Sequence, residues 1–588
     1  MKQTTRLLAL LLALLMILSL AACGQTDTPA ADPSETADQP DTTPDAETPA
    51  ETPDETPDAP ADETPAEHAL YMQYITADVC QSGTSYDLPL VDEPTTLQFW
   101  WPLFSSYLQY DLTSQDDYLM FEQMKERTGV DMELIIPSSA DEQFGLMMAS
   151  GDIPDFVYGF YSYYSGGLDH AVEEDVVANL KDYESIMPNL FTVLRSNETF
   201  WKEANTDSGY IALVPHIQSN LQGTADRSWM GYAIREDWLN ELGMEVPKTY
   251  SQLETLLKAM KGIYCEYPFI LHGFNGMFML DYGSKFWGGY NVDSSWYQVD
   301  GQVKYGPLED GYRDYIQMLI NWYQEGLMTD TFLQPYGDGG YMAVSSTDVC
   351  ATDDSVGVLP VNYTTMDDFY KVNADKENYG LLGLPFLKVN EGDTLHLGRQ
   401  APNIVYSSSG AVMVDGGDVE LTCKWFDYLF SDEGMLLYNY GVENQTFTFD
   451  ETGKPQWIVE KFRSTDPKVS DHQLWHQQVG FNEPGYHQFD REFVMYSPEV
   501  LALYDVWYNS YDIEYNYPST ATRTAEEGED YTRIMSDVET YLNENLIQFL
   551  VGDKSMDEWD SFRDQLSRMH LDEAMAIQQA ALDRYNNR

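Results

Sequence analysis

The stretch from Gly24 to Glu67 cannot become part of a folded core. It consists almost entirely of Thr, Pro, Ala, Asp and Glu, with no Lys or Arg and almost no large apolar residue. Such a segment buries too little apolar surface to offset the entropy lost on ordering, so we expect it to stay disordered. If it is mostly polyproline-like, it reaches on the order of 100 Å. Folding is thereby confined to residues 68–588, enough for two lobes or for two to three domains.

The residues before this stretch carry an export signal. The apolar run Leu7–Leu20 follows two basic residues and is too short to span a bilayer comfortably. It ends in Leu20-Ala21-Ala22-Cys23, which resembles the lipobox of bacterial lipoproteins. The resemblance implies that residues 1–22 are a signal peptide and that Cys23 is lipidated. Residues 23–67 would then be a linker between the membrane and an extracytoplasmic head, which is the folded part at residues 68–588. An ordinary secretory signal and a short anchor are the alternatives.

Charge and composition restrict the partners of the chain. Its formal net charge is −65, which argues against nucleic acid and against an anionic membrane surface as partners. Aromatic residues make up 14 % of the chain, with 13 Trp and 42 Tyr. This content suits a cleft that stacks on the flat apolar faces of sugar rings, although most of these rings must pack in the core.

Motifs for catalysis and for cofactors are absent from the sequence. There is no HExxH, P-loop, GxSxG or dinucleotide-binding glycine motif, so we expect neither an enzyme nor a cofactor. Because the chain has 97 acidic residues, carboxylates at glycosidase spacing arise by chance. His472 and His476 are four residues apart, with His487 beyond them, but Gln473 stands where a zinc protease has glutamate. We predict no metal there, and no calcium, because the loop pattern D-x-[DN]-x-[DN]-G is missing.

The cysteines beyond Cys23 are Cys80, Cys265, Cys350 and Cys423. Four cysteines allow three pairings, and their wide spacing neither selects one nor excludes free thiols.

Alternating strand and helix patterns begin the folded part. Thr95–Trp101 and the segment from Val130 to Ile136 have the periodicity of strands, and the helix between them is predicted to begin at Thr113 or Ser114 and to end at Gly129. A second helix ends in the turn 150–155, before another strand at 156–158. This order predicts an α/β layer with a parallel sheet, whose ligands would lie at the carboxyl ends of the strands.

Two capping boxes mark helices later in the chain. Thr249 and Gln252 precede an apolar face at helical spacing, and Ser555 and Glu558 precede another. No internal repeat appears, so we expect residues 68–588 to form one integrated body.

Five ordered segments resemble the large lipoprotein-type extracellular solute-binding proteins of bacterial ABC sugar importers. They correspond to the family's "aSGDiPD", "dLt-y-PNl", "iRkDWLdkLGl-vPtT", "NYGiEG" and "QeAyDRY" patterns. In this chain they are Met148–Asp155, Val176–Leu190, Ile234–Thr249, Asn439–Asn444 and Gln579–Tyr585. Asn444 replaces a glycine of the pattern.

The resemblance implies a two-lobed α/β fold of the periplasmic-binding-protein type (type II), with a sugar-sized cleft between the lobes. Strand crossovers would lie near 211–235 and 381–386. It also implies that an oligosaccharide closes the lobes, that permease subunits of an ABC importer are the partners, and that the protein acts as a monomer anchored at Cys23.

Eight residues are candidates for the ligand cleft, because sugars need planar hydrogen-bonding groups and aromatic faces. They are Trp100, Trp101, Asp152, Tyr158, Trp229, Arg235, Trp287 and Asn444.

Several candidates have structural alternatives. Asp152 and Asp155 suit a tight turn equally well, and Arg235 could pair with a carboxylate of its own lobe. Asp237 and Trp238 are interpreted as structural, and Arg584 as part of an ion-pair motif.

Three rival functions stay open at this point. A surface hydrolase would need two carboxylates at fixed separation, one with a raised pKa. A binding module that feeds a sensor, and a receptor for peptides, are compatible with the same fold.

Overall fold

The computed structural model describes residues 87–102, 118–219, 230–271, 285–330, 356–362, 366, 369–370, 373–376, 378–397, 402–463, 471–508 and 514–588. The predicted signal peptide, the predicted lipidation site Cys23, the segment 23–67, Cys80, Trp229 and Cys350 lie outside these residues. The strands are β1 (Thr95–Trp100), β2 (Val130–Ile135), β3 (Phe156–Tyr158), β4 (His216–Ser219), β5 (Met230–Arg235), β6 (Trp296–Val299), β7 (Gln302–Tyr305), β8 (Val358–Asn362), β9 (Leu381–Leu384), β10 (Gly410–Val412), β11 (Phe447–Phe449), β12 (Pro455–Trp457) and β13 (Gly485–Gln488).

The α-helices in these ranges are α1 (Leu119–Thr128), α2 (Ala140–Ser150), α3 (Phe160–Tyr163), α4 (Leu168–Glu173), α5 (Pro188–Ser196), α6 (Glu198–Ala204), α7 (Glu236–Leu242), α8 (Tyr250–Met260), α9 (Asp310–Gln324), α10 (Val419–Tyr428), α11 (Asp432–Tyr440), α12 (Asp471–His476), α13 (Pro498–Tyr508), α14 (Ala525–Val551), α15 (Trp559–Leu566) and α16 (Asp572–Asn587). Short 3-10 helices span Leu180–Ile186, Gly288–Tyr290, Gly306–Leu308, Tyr406–Ser408, Val459–Phe462, Phe489–Val494 and Met556–Glu558, and Ser567–Leu571 forms a π-turn.

The first lobe is built on a four-stranded sheet with the order β10-β3-β1-β2. β1 runs parallel to β2 and to β3, with Phe99 opposite Phe156. The predicted α/β layer with a parallel sheet is therefore confirmed. β10 is an antiparallel edge strand, with Gly410 opposite Tyr158. It was not predicted, because its partner in the sheet is about 250 residues earlier in the chain.

Helices α1 and α2 end at glycines, as their sequences predict. Gly129 has φ +74° and Gly151 has φ +76°, the left-handed conformation that glycine adopts without steric cost. The predicted cap at Thr113 or Ser114 lies outside the described residues, and α1 begins at Leu119 without a side-chain cap.

The second lobe contains a three-stranded antiparallel sheet with the order β8-β5-β9. The predicted apolar face of α8 is buried in its core. Thr249 caps α8 by accepting a hydrogen bond from the amide of Gln252, but the Gln252 side chain accepts from the amide of Lys248 instead of closing the box. Both halves of the predicted box at Ser555 and Glu558 form, ahead of α15.

Three segments join the lobes and lie side by side. The chain leaves the first lobe through β4, returns at 402–405 and leaves again after β13. β4 pairs in parallel with β13, and the Gln218 amide donates to the Asn403 carbonyl at 2.7 Å. The return that the resemblance placed near 381–386 corresponds to β9, which still belongs to the second-lobe sheet. The third connection was not predicted.

Candidate ligand cleft between the two lobes

An aromatic pair lies at the carboxyl ends of β1 and β3. Trp101 follows β1, and its ring stacks on Tyr158 with centroids 4.9 Å apart and planes 13° from parallel. Both rings are at least 95 % buried, and the indole N–H of Trp101 has no hydrogen-bond partner among the described residues. Trp101 and Tyr158 are the two predicted cleft residues that the structure brings into contact.

Trp100 lies on the other face of the sheet, because successive strand residues point to opposite sides. Its ring packs edge-on against Tyr163 at 5.1 Å and against Phe144 at 5.8 Å, under α2 and α3. Trp100 therefore belongs to the core of the first lobe and does not share a surface with Trp101.

Asn482 and the buried Glu483 connect the aromatic cluster around this pair to the strands that cross between the lobes. Tyr118 Oη donates to Glu483 Oε1 at 2.9 Å, and Tyr158 Oη donates to the Asn482 carbonyl at 3.0 Å. The Glu483 carbonyl lies 2.8 Å from His216 Nδ1 at the start of β4. Burial raises the pKa of Glu483. Sequence reasoning missed this segment, because no local pattern marks a glutamate as buried.

Asp152 lies at the opposite, amino end of β3. It precedes β3, is exposed to solvent and belongs to the turn that follows Gly151. Asp155 fixes this turn: its Oδ2 accepts from the Gln98 amide at 2.8 Å and its Oδ1 from the Asp418 amide at 3.0 Å. The segment 150–155 thus has the turn-forming arrangement that the sequence allowed as an alternative.

Arg235 forms a bidentate ion pair within the second lobe. Its Nε lies 2.9 Å from Asp237 Oδ1 and its Nη2 lies 2.6 Å from Asp237 Oδ2. The guanidinium also stacks over the rings of Trp238 at 4.2 Å and Tyr379 at 4.7 Å. These contacts hold a side chain that is 4 % exposed, and they match the alternative of a pair within the lobe.

The glycines after Trp287 serve the packing of the protein itself. A Cβ on Gly288 would lie 2.7 Å from the Leu397 carbonyl, and a Cβ on Gly289 would lie 2.2 Å from the Leu387 carbonyl. Trp287 is 3 % exposed in the second-lobe core. The close approach that these glycines permit is thus to backbone of the same lobe.

Asn444 is an exposed turn residue. Its φ is +60°, and its amide donates to the Phe447 carbonyl at 2.8 Å ahead of β11. Asparagine tolerates this conformation better than other non-glycine residues, which explains why it can replace glycine here. Trp229, the remaining candidate, lies outside the described residues.

A depression of about 260 Å³ opens where the chain enters the second lobe. Its lining includes Gly231, Tyr232, Lys285, Phe286, Leu384 and Trp507. The Trp507 ring, from α13, lies directly on Gly231, where a Cβ would come within 2.4 Å of the indole. The lining combines nearly buried aromatic rings with one cationic side chain, Lys285.

A second depression, of about 250 Å³, lies along the third connection between the lobes. Its lining includes Phe489, Glu492, Phe493, Tyr496, Val500 and Tyr504. Glu492 Oε1 lies 2.7 Å from His487 Nε2, and its Oε2 accepts from Tyr496 Oη at 3.0 Å. Both depressions border α13, an element that sequence reasoning did not connect with the cleft.

The histidines considered for zinc do not converge in the described part of the chain. His487 pairs with Glu492, and the ring centroids of His476 and Phe481 are 3.8 Å apart. The side chain of His472 is not among the described ones. Among the described residues, no three His, Cys, Asp or Glu side chains are placed to share a metal ion.

None of the helices in the described ranges has both the length and the apolar character needed to cross a bilayer.

Comparison with known proteins identifies the fold. No protein-family model matches the chain. It is 23 % identical over 518 residues to the fructooligosaccharide ABC transporter substrate-binding protein FusA of Streptococcus pneumoniae serotype 4, a match that covers 80 % of this chain and 87 % of that protein.

Two solved structures are similar over most of the chain. The alginate-binding protein AlgQ2 without calcium ion has a TM-score of 0.66 at 22 % identity, covering 85 % of this chain and all of that one. The HMO-binding, ABC-transporter-associated solute-binding protein of Bifidobacterium longum infantis has a TM-score of 0.67 at 15 % identity, covering 84 % and 99 %. The two-lobed fold of solute-binding proteins, expected from the sequence, is confirmed.

Proposed function

We propose that this protein captures an oligosaccharide between its lobes and delivers it to an ABC importer. The observation that carries the proposal is the pair of depressions beside the three side-by-side connections between two lobes. Their aromatic linings suit the apolar faces of sugar rings. Relatives that share the fold are named as carbohydrate-binding components of such importers.

Closure of the lobes is the mechanism of capture. A ligand that touches the depression at Lys285 and Trp507 and also reaches the first lobe stabilises the closed arrangement relative to the open one. The ligand shifts the equilibrium by its difference in affinity for the two arrangements. The three side-by-side connections allow the lobes to rotate as rigid bodies about β4, β13 and residues 402–405.

A lipid anchor at Cys23 completes the proposal. Residues 1–22 act as the export signal, and residues 23–67 tether the head to the outer face of the cytoplasmic membrane. The permease and the ATPase are separate chains, and the receptor works as a monomer. Mass spectrometry of the mature protein tests the anchor: a diacylglycerol adduct on Cys23 is expected, and an unmodified amino terminus would contradict it.

The proposed receptor binds without cleaving. The alternative of a surface hydrolase needs two cleft carboxylates, and Glu483 and Glu492 instead face protein groups. Tyr118 and the Phe481 amide donate to Glu483. Tyr496 donates to Glu492, and His487 Nε2 lies 2.7 Å from Glu492 Oε1.

Thermal unfolding against a glycan panel tests the function. A ligand at about 100 times its dissociation constant adds about 2.7 kcal/mol of stability, which is easily detected. A selective shift with one glycan class, and no cleavage of that glycan by chromatography afterwards, is the expected result. Turnover would favour the hydrolase, and a shift with peptides alone would replace the sugar by a peptide ligand.

A further inference from the structure

The three connections between the lobes pack as a layer on the core of the first lobe. Each connection contributes an apolar side chain to that core: Ile217 from β4, Ile404 from residues 402–405 and Tyr486 from β13. These residues are at most 1 % exposed. The segments that lead into the second lobe are therefore held by the first.

Asn439, near the carboxyl end of α11, binds the free edge of β13. The Gly485 amide donates to the Pro215 carbonyl at 3.0 Å, so Gly485 faces β4. Because backbone groups alternate in direction along a strand, Tyr486 and Gln488 face the other way. There Asn439 Oδ1 accepts from the Gln488 amide at 2.9 Å, and Nδ2 donates to the Tyr486 carbonyl at 2.8 Å. One side chain thus takes the place of a neighbouring strand.

The same helix also holds the segment that follows β13. The second N–H of Asn439 donates to the Met435 carbonyl at 2.9 Å inside α11, and Asn439 is 0 % exposed. Arg491 donates from Nη1 to the carbonyls of Tyr438 and Asn439 at 2.9 and 2.7 Å. These carbonyls lie at the carboxyl end of α11, where the helix dipole favours a cation. Asn439 begins the segment Asn439–Asn444 that the sequence singles out, so the motif has a role in fixing β13.

Glu203, near the carboxyl end of α6, binds the second connection. Its Oε2 accepts from the Ile404 amide at 2.8 Å, and its carbonyl accepts from Tyr406 Oη at 2.6 Å. Glu203 is 6 % exposed. A first-lobe helix thus binds the connection at 402–405 as α11 binds β13.

We propose that Asn439 and Glu203 are positioning residues that fix the connections to the first lobe, so that the second lobe rotates about the far ends of these segments. The inference rests on the proposed function. Connections that cannot bend keep the two faces of the cleft in register, so fewer arrangements are lost when a glycan binds. Loosening them should weaken glycan binding, although both side chains are buried.

Four substitutions test this proposal on the full chain at pH 8, because burial raises the pKa of Glu203 to about 7. Asn439→Ala and Glu203→Ala remove the bonds to the connections, and Glu203→Gln keeps an acceptor for the Ile404 amide. Asp427→Ala is the matched control. Asp427 is a fully buried first-lobe side chain that accepts from the Leu190 amide at 2.7 Å, so its bond is to α5 rather than to a connection. Thermal unfolding confirms that each variant is folded.

Hydrogen exchange measured by mass spectrometry and calorimetry with a neutral glycan are the two readouts. Exchange should be about tenfold faster at Ile404 in Glu203→Ala and at Gln488 in Asn439→Ala, because each amide loses its acceptor. In the wild-type chain, a glycan should change exchange at these amides no more than in α6 and α11. The glycans tested are kestose, maltotriose and lacto-N-tetraose. A glycan that binds the wild-type chain should bind both alanine variants of the positioning residues about tenfold more weakly. Glu203→Gln and Asp427→Ala should keep nearly wild-type affinity.

The proposal would be overturned by unchanged exchange at both amides in these alanine variants. An equal loss of affinity in Asp427→Ala would also overturn it, because lower stability alone would then explain the effect. A glycan-dependent change confined to the two amides would show instead that the connections themselves bend. If none of the three glycans bound to the wild-type chain, the proposed function would be contradicted, and exchange in the ligand-free variants would still decide whether Asn439 and Glu203 fix the connections.

Discussion

Asp207 of the first lobe is bound by Arg588 of the second lobe. Arg588 Nε and Nη2 lie 2.8 and 2.6 Å from Asp207 Oδ1, and Arg584 Nε donates to Oδ2 of the same carboxylate. The side chains of Asp207 and Arg588 are 6 % and 5 % exposed. Helix α16 is fixed to the second lobe, where Gln579 Oε1 accepts from the Val303 amide at 2.8 Å. The helix thus links the two lobes through a buried ion pair.

Asp207→Asn should destabilise the protein strongly, because it leaves the buried guanidinium of Arg588 without its counter-charge, whereas Arg584 is 30 % exposed and keeps its pair with Glu527. Breaking a buried pair in this way costs about 3–5 kcal/mol. The free energy of unfolding in urea measures the loss, and small-angle scattering should show a larger radius of gyration as the lobes separate.

Asp310→Asn is the matched control for this pair. Asp310 also pairs with an arginine, Arg563, at 2.7 Å, but its side chain is 86 % exposed. Its loss should cost less than about 1 kcal/mol. If the two variants unfolded at the same urea concentration, Asp207 would not hold the lobes together.

A buried carboxyl group should make stability fall as pH rises. Asp427 is fully buried at the amino end of α5, where its oxygens accept from the amide of Leu190 at 2.7 Å and from Asn189 Nδ2 at 2.8 Å. Burial raises its pKa to about 8, against 3.8 ordinarily. Between these values the folded protein holds a proton that the unfolded chain has lost. The contribution of this group is therefore fully present at low pH and disappears as pH rises through about 8.

Asp427→Asn should flatten this dependence. The free energy of unfolding, measured from pH 5 to pH 8, should fall more steeply in the wild-type chain, by up to about 1.4 kcal/mol per pH unit. The asparagine amide cannot ionise, so its curve reflects the other groups alone. Identical slopes for both proteins would show that Asp427 is ionised throughout this range.

Two cysteines should be unreactive in the folded state. Cys265 and Cys423 are free and buried, and burial raises their pKa to about 11 and about 12. At pH 8 both thiols stay protonated, whereas the thiolate is the reactive form. In a chain with Cys23, Cys80 and Cys350 changed to serine, a thiol reagent should label neither residue before unfolding and both after it. Rapid labelling of the native chain would contradict their burial.

Local patterns in the sequence predict the first lobe well. The order of β1, α1, β2, α2 and β3 follows from alternating apolar residues in the strands and from the glycines that end the helices, Gly129 and Gly151. Each of these patterns spans only a few neighbouring residues. The parallel pairing then follows from the helical crossovers.

Contacts between distant parts of the chain could not be predicted in this way. Gly485 pairs with His216 across about 270 residues, and neither neighbourhood differs from an ordinary strand. Local patterns also failed to predict which candidate site residues lie together. Trp100 and Trp101 are adjacent in the sequence, yet the pleat places them on opposite faces. Gly288 and Gly289 adjoin an aromatic residue, yet the atoms that approach them belong to the protein.

Asn444 offers a test of whether a predicted site residue binds ligand or only forms a turn. Asn444→Gly should be neutral or slightly stabilising at φ +60°, whereas Asn444→Ala should cost about 1 kcal/mol or more. If the residue serves only the turn, Asn444→Gly should bind the glycan with wild-type affinity in calorimetry. A loss of affinity in this variant, with unchanged stability, would assign the side chain to the ligand.

Gly231→Ala should damage both stability and binding, because the Trp507 ring occupies the space that a methyl group needs. The added Cβ would lie 2.4 to 2.8 Å from three atoms of the indole, so the ring must move away from β5. Overpacking of this kind costs about 1–3 kcal/mol, and the displaced ring would narrow the second-lobe depression. Gly145→Ala is the control, since nothing lies within 4 Å of its Cβ in the interior of α2, and it should stabilise by up to about 1 kcal/mol. Melting temperatures and glycan affinities of both variants measure the difference. If Gly231→Ala lost stability but kept its glycan affinity, the ligand would not contact the surface that Trp507 forms.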